Sequence, residues 1–172
     1  MDQPQGQKNW ERQLFVEEVG VLFEASGLPR IAGRILGWLL ICTPPHQTAT
    51  ELMDVLQASK ASISTMTRLL MQLGLIERIR LPGQRQDCFR FKLNAWEEIN
   101  NQQLARVRAF RQLAERGLEL FAIDDTQSRQ RLEEMRDLHL FFEQELPRLN
   151  ERWQQKRLSQ STTLEESQNP SE

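Results

Sequence analysis

The sequence lacks the residue patterns that build disulfide frameworks, metal centres and catalytic sites. Its two cysteines, Cys42 and Cys88, are too few and too widely spaced for a disulfide framework, and each is predicted to be a small buried side chain. The two histidines, His46 and His139, belong to no HExxH or CxxC motif, so no metal or other cofactor is predicted. There is also no glycine-rich phosphate loop and no recognisable nucleophile–base pair. We therefore predict that the protein is not an enzyme.

Long apolar runs are absent as well. The best of them, Ile31 to Cys42, is interrupted by Arg34 and is far shorter than the roughly 20 residues that a bilayer requires. The first residues, MDQPQGQKNWERQ, contain no basic segment followed by an apolar one, so no secretory signal is predicted. These absences favour a cytoplasmic protein with no membrane partner.

Length allows one domain, or two at most, because domains average roughly 150 residues and the chain has 172. Its formal net charge of −2 does not by itself favour nucleic-acid binding. The charge is nevertheless uneven, since residues 30–92 hold nine Lys or Arg side chains against four Asp or Glu, a local balance of +5. Binding to a phosphate backbone requires such a local basic face, although a block of this size is also common on solvated surfaces.

The spacing of apolar residues predicts four helices before residue 75. Apolar residues recur every three or four positions, and glycine or proline separates the segments. Thr48 and Glu51 have the spacing of a capping box, and Ser59 is predicted to cap the fourth helix. The four helices are expected at Trp10–Ala25, after Pro29 as far as Pro44-Pro45, from Thr48 through Leu56, and from Ser59 to Gly74.

After Gly74 the pattern changes to that of a β-hairpin. The segment CFRFKL (88–93) alternates apolar and basic residues, which is the period of a half-exposed strand. It is expected to pair with LIERIR (75–80) across a loop in which Pro82-Gly83 marks a tight turn. Two long helices are predicted beyond it, from Ala95 to about Phe121 and from about Thr126 to Trp153.

Helix, turn, helix and basic hairpin is the order of a winged helix-turn-helix. The fourth helix has an apolar stripe, and its opposite face carries short polar side chains and one arginine. Such a face can approach a DNA groove closely and offers hydroxyl, amide and guanidinium groups to phosphates and base edges. An ordinary amphipathic helix has the same pattern, but the basic hairpin favours DNA binding. The predicted DNA-binding residues are Ser59, Lys60, Ala61, Ser62, Ser64, Thr65, Arg68 and Gln72 at the helix, and Gln84 and Arg85 at the hairpin tip.

Residues 12–93 resemble the GbsR branch of the MarR-type transcriptional regulators. The most specific part of the resemblance is the segment GLPR-x-AGR-ILGWLL at residues 27–40. The resemblance implies a mainly α fold, a winged helix-turn-helix with a small β-hairpin wing and long terminal helices that form a dimerisation region. It also implies a dimer that binds double-stranded DNA, usually as a repressor, and that often responds to a small ligand of unstated identity.

The first helix and the two long helices after residue 94 carry more large apolar side chains than one small domain can cover. These side chains could pack on the winged helix of the same chain. We favour a homodimer with interleaved terminal helices, because a two-fold protein matches a palindromic operator. The predicted organisation is an N-terminal helix plus winged helix-turn-helix over 1–93, a helical dimerisation region over 94–156 and a disordered tail over 157–172. The large apolar side chains that are predicted to lie in the dimer interface are Trp10, Phe15, Trp96, Phe110, Phe121, Phe142 and Trp153.

The sequence therefore predicts a DNA-binding transcriptional regulator that binds a palindromic operator as a dimer. Its predicted effect on transcription is repression. If a small-molecule effector releases it, the effector pocket is expected between the winged helix and the long helices. The alternative is a protein–protein adaptor that uses the winged helix only as a scaffold. DNA affinity that rises steeply as the salt concentration falls would distinguish the regulator from the adaptor.

Overall fold

The computed structural model describes residues 5–83, 86–122 and 125–168. Within these ranges the chain forms six helices and a small antiparallel sheet, divided between two compact units, Met1–Ile99 and Asn100–Glu172. The predicted fold class, a mainly helical winged helix-turn-helix, is confirmed. The elements are α1 (Gln5–Ala25), α2 (Arg30–Ile41), β1 (Gln47–Thr48), α3 (Ala49–Leu56), α4 (Lys60–Gln72), β2 (Ile76–Arg80), β3 (Asp87–Phe91), α5 (Ala95–Leu118) and α6 (Thr126–Gln168).

The sheet has three strands in the order β1-β3-β2, and both pairings are antiparallel. The predicted hairpin is present as β2 and β3, with Arg78 opposite Phe89. Phe89 is also opposite Gln47 of β1, which was not predicted from the sequence. A strand of two residues is too short to show a two-residue period, so the sequence carries no signal for it.

The core of the first unit lies between α2, α3, α4 and the sheet. Its largest fully buried side chains come from each of these elements, and α2 contributes its apolar side chains to the centre. The apolar stripe predicted for the fourth helix is confirmed, because Ile63 and Leu70 of α4 are completely buried. This packing fixes α4 so that its opposite face points to solvent.

Helix α1 packs closely against α2 through a glycine contact. A Cβ atom placed on Gly33 would lie 2.6 Å from the carbonyl oxygen of Val19 and 2.8 Å from the Cα atom of Gly20. Real Cβ atoms essentially never come so close to backbone atoms. Position 33 therefore requires glycine because the α1 backbone occupies the space of a side chain.

The predicted capping box at the start of α3 is confirmed. The backbone N–H of Glu51 donates to Thr48 Oγ1 (3.2 Å), and the backbone N–H of Thr48 donates to Glu51 Oε2 (2.6 Å). The Thr48 hydroxyl donates to the same carboxylate oxygen (2.8 Å). Because these hydrogen bonds favour the ionised form, they lower the pKa of Glu51 below its ordinary value.

This capping box predicts acid sensitivity at the start of α3. A carboxyl group with a lowered pKa contributes stability above its unfolded-state pKa, and the contribution is lost as the pH falls through the folded-state pKa. Between about pH 6 and about pH 3, the free energy of unfolding should therefore fall further in the unsubstituted protein than in Glu51→Gln. Urea titrations of both proteins across this range test the expectation. Equal acid dependence would contradict it.

In the second unit, α5 and α6 are joined by ion pairs. Glu143 of α6 pairs with Arg108 (3.2 Å) and Arg111 (2.6 Å) of α5, and the hydrogen bond from Arg111 is the main reason that the pKa of Glu143 is lowered. Asp125 caps α6, because its carboxylate accepts from the backbone N–H of Ser128 (3.2 Å). The two ion pairs of Glu143 therefore join the two long helices of the unit.

The length of α6 corrects one prediction. Polar composition predicted disorder over 157–172, but α6 is helical as far as Gln168, and residues 169–172 lie outside the described part of the chain. Once a helix has been nucleated, each added residue gains one backbone hydrogen bond without needing an apolar face. Composition alone therefore does not show where a long helix ends.

Candidate nucleic-acid interface

Helices α3 and α4 form the helix-turn-helix, and local hydrogen bonds fix the turn between them. Gln57 adopts the left-handed conformation (φ 51°) that ends α3, and its side-chain amide donates to the carbonyl oxygen of Asp54 (2.6 Å). Ser59 then caps α4, with its hydroxyl oxygen accepting from the backbone N–H of Ser62 (3.1 Å). The predicted cap at Ser59 is confirmed.

The outer face of α4 is exposed, as the periodicity predicted. Buried Ile63, Thr67 and Leu70 hold the other face in the core. Contact of the outer face with DNA remains a prediction, but the structure brings its predicted residues together on one solvent-facing surface. The exposed residues among them are Ser59, Lys60, Ala61, Ser64, Thr65, Arg68 and Gln72, and the half-buried one is Ser62.

Most of the described basic side chains in residues 30–92 have acidic partners. The local balance of +5 therefore does not show how much positive charge is free to meet DNA. Over residues 30–83 and 86–92, Lys60 and Arg68 are the basic side chains without an ion pair to another described residue. The ion pairs of the other basic side chains are Arg30 with Glu17 and Glu24, Arg34 with Glu17, Arg78 and Arg80 with Asp87, Arg90 with Glu77, and Lys92 with Glu98. The basic side chains without an ion pair in this part of the chain therefore lie on α4, while on the wing Arg78 and Arg80 share the single carboxylate of Asp87.

The wing, formed by β2 and β3, carries two further exposed arginines that are not among the DNA-binding residues predicted from the sequence. Arg78 and Arg80 lie on one face of β2, and Asp87 at the start of β3 pairs with both (3.5 and 3.0 Å). The signal was present in the sequence as two arginines at positions i and i+2 of a strand, which share a face. The predicted wing residues Gln84 and Arg85 lie outside the described part of the chain.

The cysteines and the metal-ligating residue types form no second candidate site within the described ranges. Cys42 and Cys88 are buried, as predicted, and burial raises the pKa of both thiols. They are therefore protonated near neutral pH, which makes them poor nucleophiles. Within the described ranges no group of three His, Cys, Asp or Glu residues could hold a metal ion, and no helix is both long and apolar enough to cross a membrane.

A cavity of about 320 Å³ lies inside the first unit, between α1, α2 and α3. Its wall is mainly apolar and includes Trp10 and Leu14 of α1, Trp38 of α2 and Val55 of α3. Arg34 is among the few charged groups in the wall.

Known proteins resemble both parts of the chain. Residues 26–87 match the MarR family, and residues 94–156 match the MmpR5-like MarR family transcriptional regulators. The chain is 41% identical over 129 residues to the HTH-type transcriptional regulator MmpR5 of Mycobacterium tuberculosis (strain ATCC 25618 / H37Rv), covering 75% of this chain and 78% of that protein. The chain is also similar to the crystal structure of a transcriptional regulator, with 38% identity and a TM-score of 0.74 over 84% of this chain and 99% of that one.

The winged-helix geometry, the exposed polar face of α4 and these relatives lead to one assignment. The chain belongs to the MarR family of transcriptional regulators and is a winged-helix, DNA-binding regulator rather than an enzyme.

Proposed function

We propose that this regulator acts in the cytoplasm as a repressor, binds a palindromic operator as a homodimer and is released from it by a small-molecule effector. Within the family we propose the GbsR branch, on the strength of the segment at 27–40. In this proposal residues 1–93 bind DNA and residues 94–156 form the dimer. The observation that carries the proposal is the exposed face of α4, with the unpaired cations Lys60 and Arg68 on it.

In the proposed complex, α4 lies in the major groove. Its N-terminal turn, with Lys60 and the backbone N–H groups, is suited to a phosphate, and the small side chains Ala61 and Ser64 allow close approach. Thr65, Arg68 and Gln72 then meet base edges. Ser59, Ser62, Gln84 and Arg85 complete the proposed contact set, and Arg80 on the exposed face of the wing adds a phosphate contact.

The proposed dimer is supported by apolar side chains that the single chain leaves uncovered. The seven aromatic residues singled out in the sequence, from Trp10 to Trp153, are each at least 37% exposed. Along α6 the exposed side chains include Leu138, Phe142, Leu149 and Trp153. Such a row of apolar side chains favours burial against a second copy in a two-fold arrangement.

Selection of DNA from a random-sequence library tests the proposal. The selected duplex should contain two inverted half-sites about one helical turn apart, and sedimentation should give two chains per duplex. Affinity should fall steeply with rising salt, because cations on α4 and the wing displace counterions. A chain that sediments at 20.2 kDa at micromolar concentration would contradict the dimer. An affinity without salt dependence would favour the adaptor function.

The wing supplies a more specific expectation. Arg80→Ala should weaken binding to the selected duplex and to a scrambled duplex by similar factors, because a phosphate contact carries no sequence information. The slope of log affinity against log salt should become smaller by about one per wing, or about two per dimer. A loss confined to the selected duplex would show that Arg80 meets a base instead.

A further inference from the structure

We propose that Gln47 is a positioning residue for DNA binding, which holds the wing in a fixed position relative to α4 through its hydrogen bond with Trp38. The contacts involved all lie in the first unit. The consequence for DNA affinity rests on the proposed function, in which α4 and the wing bind the same duplex.

Gln47 is a buried polar side chain that joins two elements of the fold. Among the described residues, the buried polar side chains are Gln47, which is 8% exposed, and Thr67. The hydroxyl of Thr67 donates within its own helix, to the carbonyl oxygen of Ile63 (2.8 Å). Gln47 Oε1 accepts instead from the indole Nε1 of Trp38 in α2 (3.3 Å), while its Nε2 donates to the carbonyl oxygen of His46 (2.9 Å). Both ends of the buried amide are therefore paired.

The buried amide carries a cost that an apolar side chain would avoid. A polar group taken out of water must recover its hydrogen bonds inside the protein, whereas methionine at position 47 would gain stability from burial alone. The amide supplies direction instead, because a hydrogen bond weakens steeply when its angle or length changes. Ile76 and Phe89 pack the sheet on the core through apolar contacts, which lack this directionality. The bond between Trp38 and Gln47 therefore fixes where the sheet lies on α2.

The place of Gln47 in the sheet transmits this restraint to the wing. Gln47 lies opposite Phe89 and Thr48 lies opposite Cys88, so β1 pairs with β3, which in turn pairs with β2. Helix α2, which carries Trp38, packs against α4. The bond between Trp38 and Gln47 thus connects the helix that supports α4 with the sheet that forms the wing.

A fixed spacing of the wing and α4 matters because both are proposed to bind one duplex. Arg80 on the wing and Arg68 on α4 are proposed to contact DNA at separate points, so the two contacts form together only at the correct spacing. A wing that moves must be ordered at the moment of binding, and that ordering lowers affinity. Loss of the bond between Trp38 and Gln47 is therefore expected to remove the contribution of Arg80 and to leave that of Arg68.

The first experiment compares Gln47→Met, an apolar side chain of similar size, with Thr67→Val, which removes a buried hydroxyl that bonds only within α4. Gln47→Met should weaken binding to the selected duplex at least about threefold and reduce the slope of log affinity against log salt, while Thr67→Val should change neither. Arg80→Ala should then weaken binding less than about 1.5-fold in the Gln47→Met protein, whereas Arg68→Ala should keep its full effect.

Trp38→Phe tests the bond from its other end, because it keeps an aromatic ring and removes the N–H group that reaches Gln47. It should weaken binding at least about threefold in the unsubstituted protein and less than about 1.5-fold in Gln47→Met, where the bond is already absent. Equal losses in both backgrounds would overturn the proposal, as would a Gln47→Met protein that binds DNA as Thr67→Val does. The comparison also decides the case in which Gln47→Met is less stable, because a general loss of stability would add to the effect of Trp38→Phe.

Distances between spin labels test the position of the wing without DNA. Gln72 at the end of α4 and Gln86 before β3 are exposed, and the natural cysteines are buried, so Gln72→Cys and Gln86→Cys accept labels selectively. Measured in an excess of unlabelled chain, the distance distribution should shift or broaden in Gln47→Met and stay unchanged in Thr67→Val. An unchanged distribution in Gln47→Met overturns the proposal. If the unsubstituted protein binds no duplex, or binds it equally well with Arg80→Ala, the proposed DNA contacts fail, and the distances still decide whether Gln47 positions the wing.

Discussion

Replacing Gly33 with alanine is expected to destabilise the first unit more than any other single-methyl addition at its helical glycines. The added Cβ would meet the carbonyl oxygen of Val19 at 2.6 Å, and the Cα atom of Gly20 and the Cβ atom of Phe23 at 2.8 Å. Because two of these are backbone atoms, α1 must move away from α2. Overpacking of this kind costs about 3 kcal/mol, against about 1 kcal/mol gained in helix propensity.

The net loss of about 2 kcal/mol corresponds to a melting temperature about 4–8 °C lower for a chain of this size. Gly6→Ala is the control, since a Cβ there meets nothing within 4 Å, and its melting temperature should not fall. Gly117→Ala is a second comparison, because its new Cβ would meet only the end of the Leu132 side chain, at 3.1 Å. A Gly33→Ala protein as stable as Gly6→Ala would contradict the close approach of α1 and α2.

The same contact explains what the segment at 27–40 does. Its glycine at 33 allows α2 to touch α1, and its arginines, Arg30 and Arg34, both pair with Glu17 of α1. The segment at 27–40, the most specific part of the family resemblance, therefore serves to pack α2 against α1. These packing contacts with α1 do not involve the proposed DNA surface on α4.

Periodicity predicted the exposed face of α4, because a 3.6-residue repeat depends only on neighbours within one helix. Ile63 and Leu70 are buried and Arg68 is exposed, as the helical periodicity predicted. The hairpin and the caps at Thr48 and Ser59 were predictable for the same reason, since turn residues and capping boxes are local signals.

Charge pairing was not predictable in this way. Glu17 lies 13 residues before Arg30 and comes to it only when α1 packs on α2. Asp87 and Arg80 meet because β2 and β3 pair in a particular register. Counting charge by segment therefore could not show which cations of residues 30–92 are paired. Over residues 30–83 and 86–92, Lys60 and Arg68 on α4 are the ones without an ion pair to another described residue. The cavity also depends on contacts between three helices, and no short motif encodes it.

The largest expected effect on DNA recognition comes from Arg68→Ala. Arg68 is exposed in the middle of α4, between Thr65 and Gln72 on the outer face, and makes no ion pair with the rest of the described chain. Its guanidinium is therefore free to bind O6 and N7 of a guanine in the major groove. Loss of such a bidentate contact costs about 1–3 kcal/mol, a factor of roughly 5 to 150 in affinity, and relaxes the preference at one base position of each half-site.

Affinities for the selected duplex, for single-base variants and for a scrambled duplex, measured over a salt series, test this role. Arg106→Ala on α5 is the charge-matched control and should leave base preference unchanged, since Arg106 is exposed in the second unit and hydrogen-bonds Gln103. If Arg68→Ala weakens selected and scrambled duplexes by the same factor and reduces the salt slope, Arg68 contacts a phosphate instead. Base reading would then fall to Ser64, Thr65 and Gln72, and α4 would have to be rotated in the groove relative to the proposed complex.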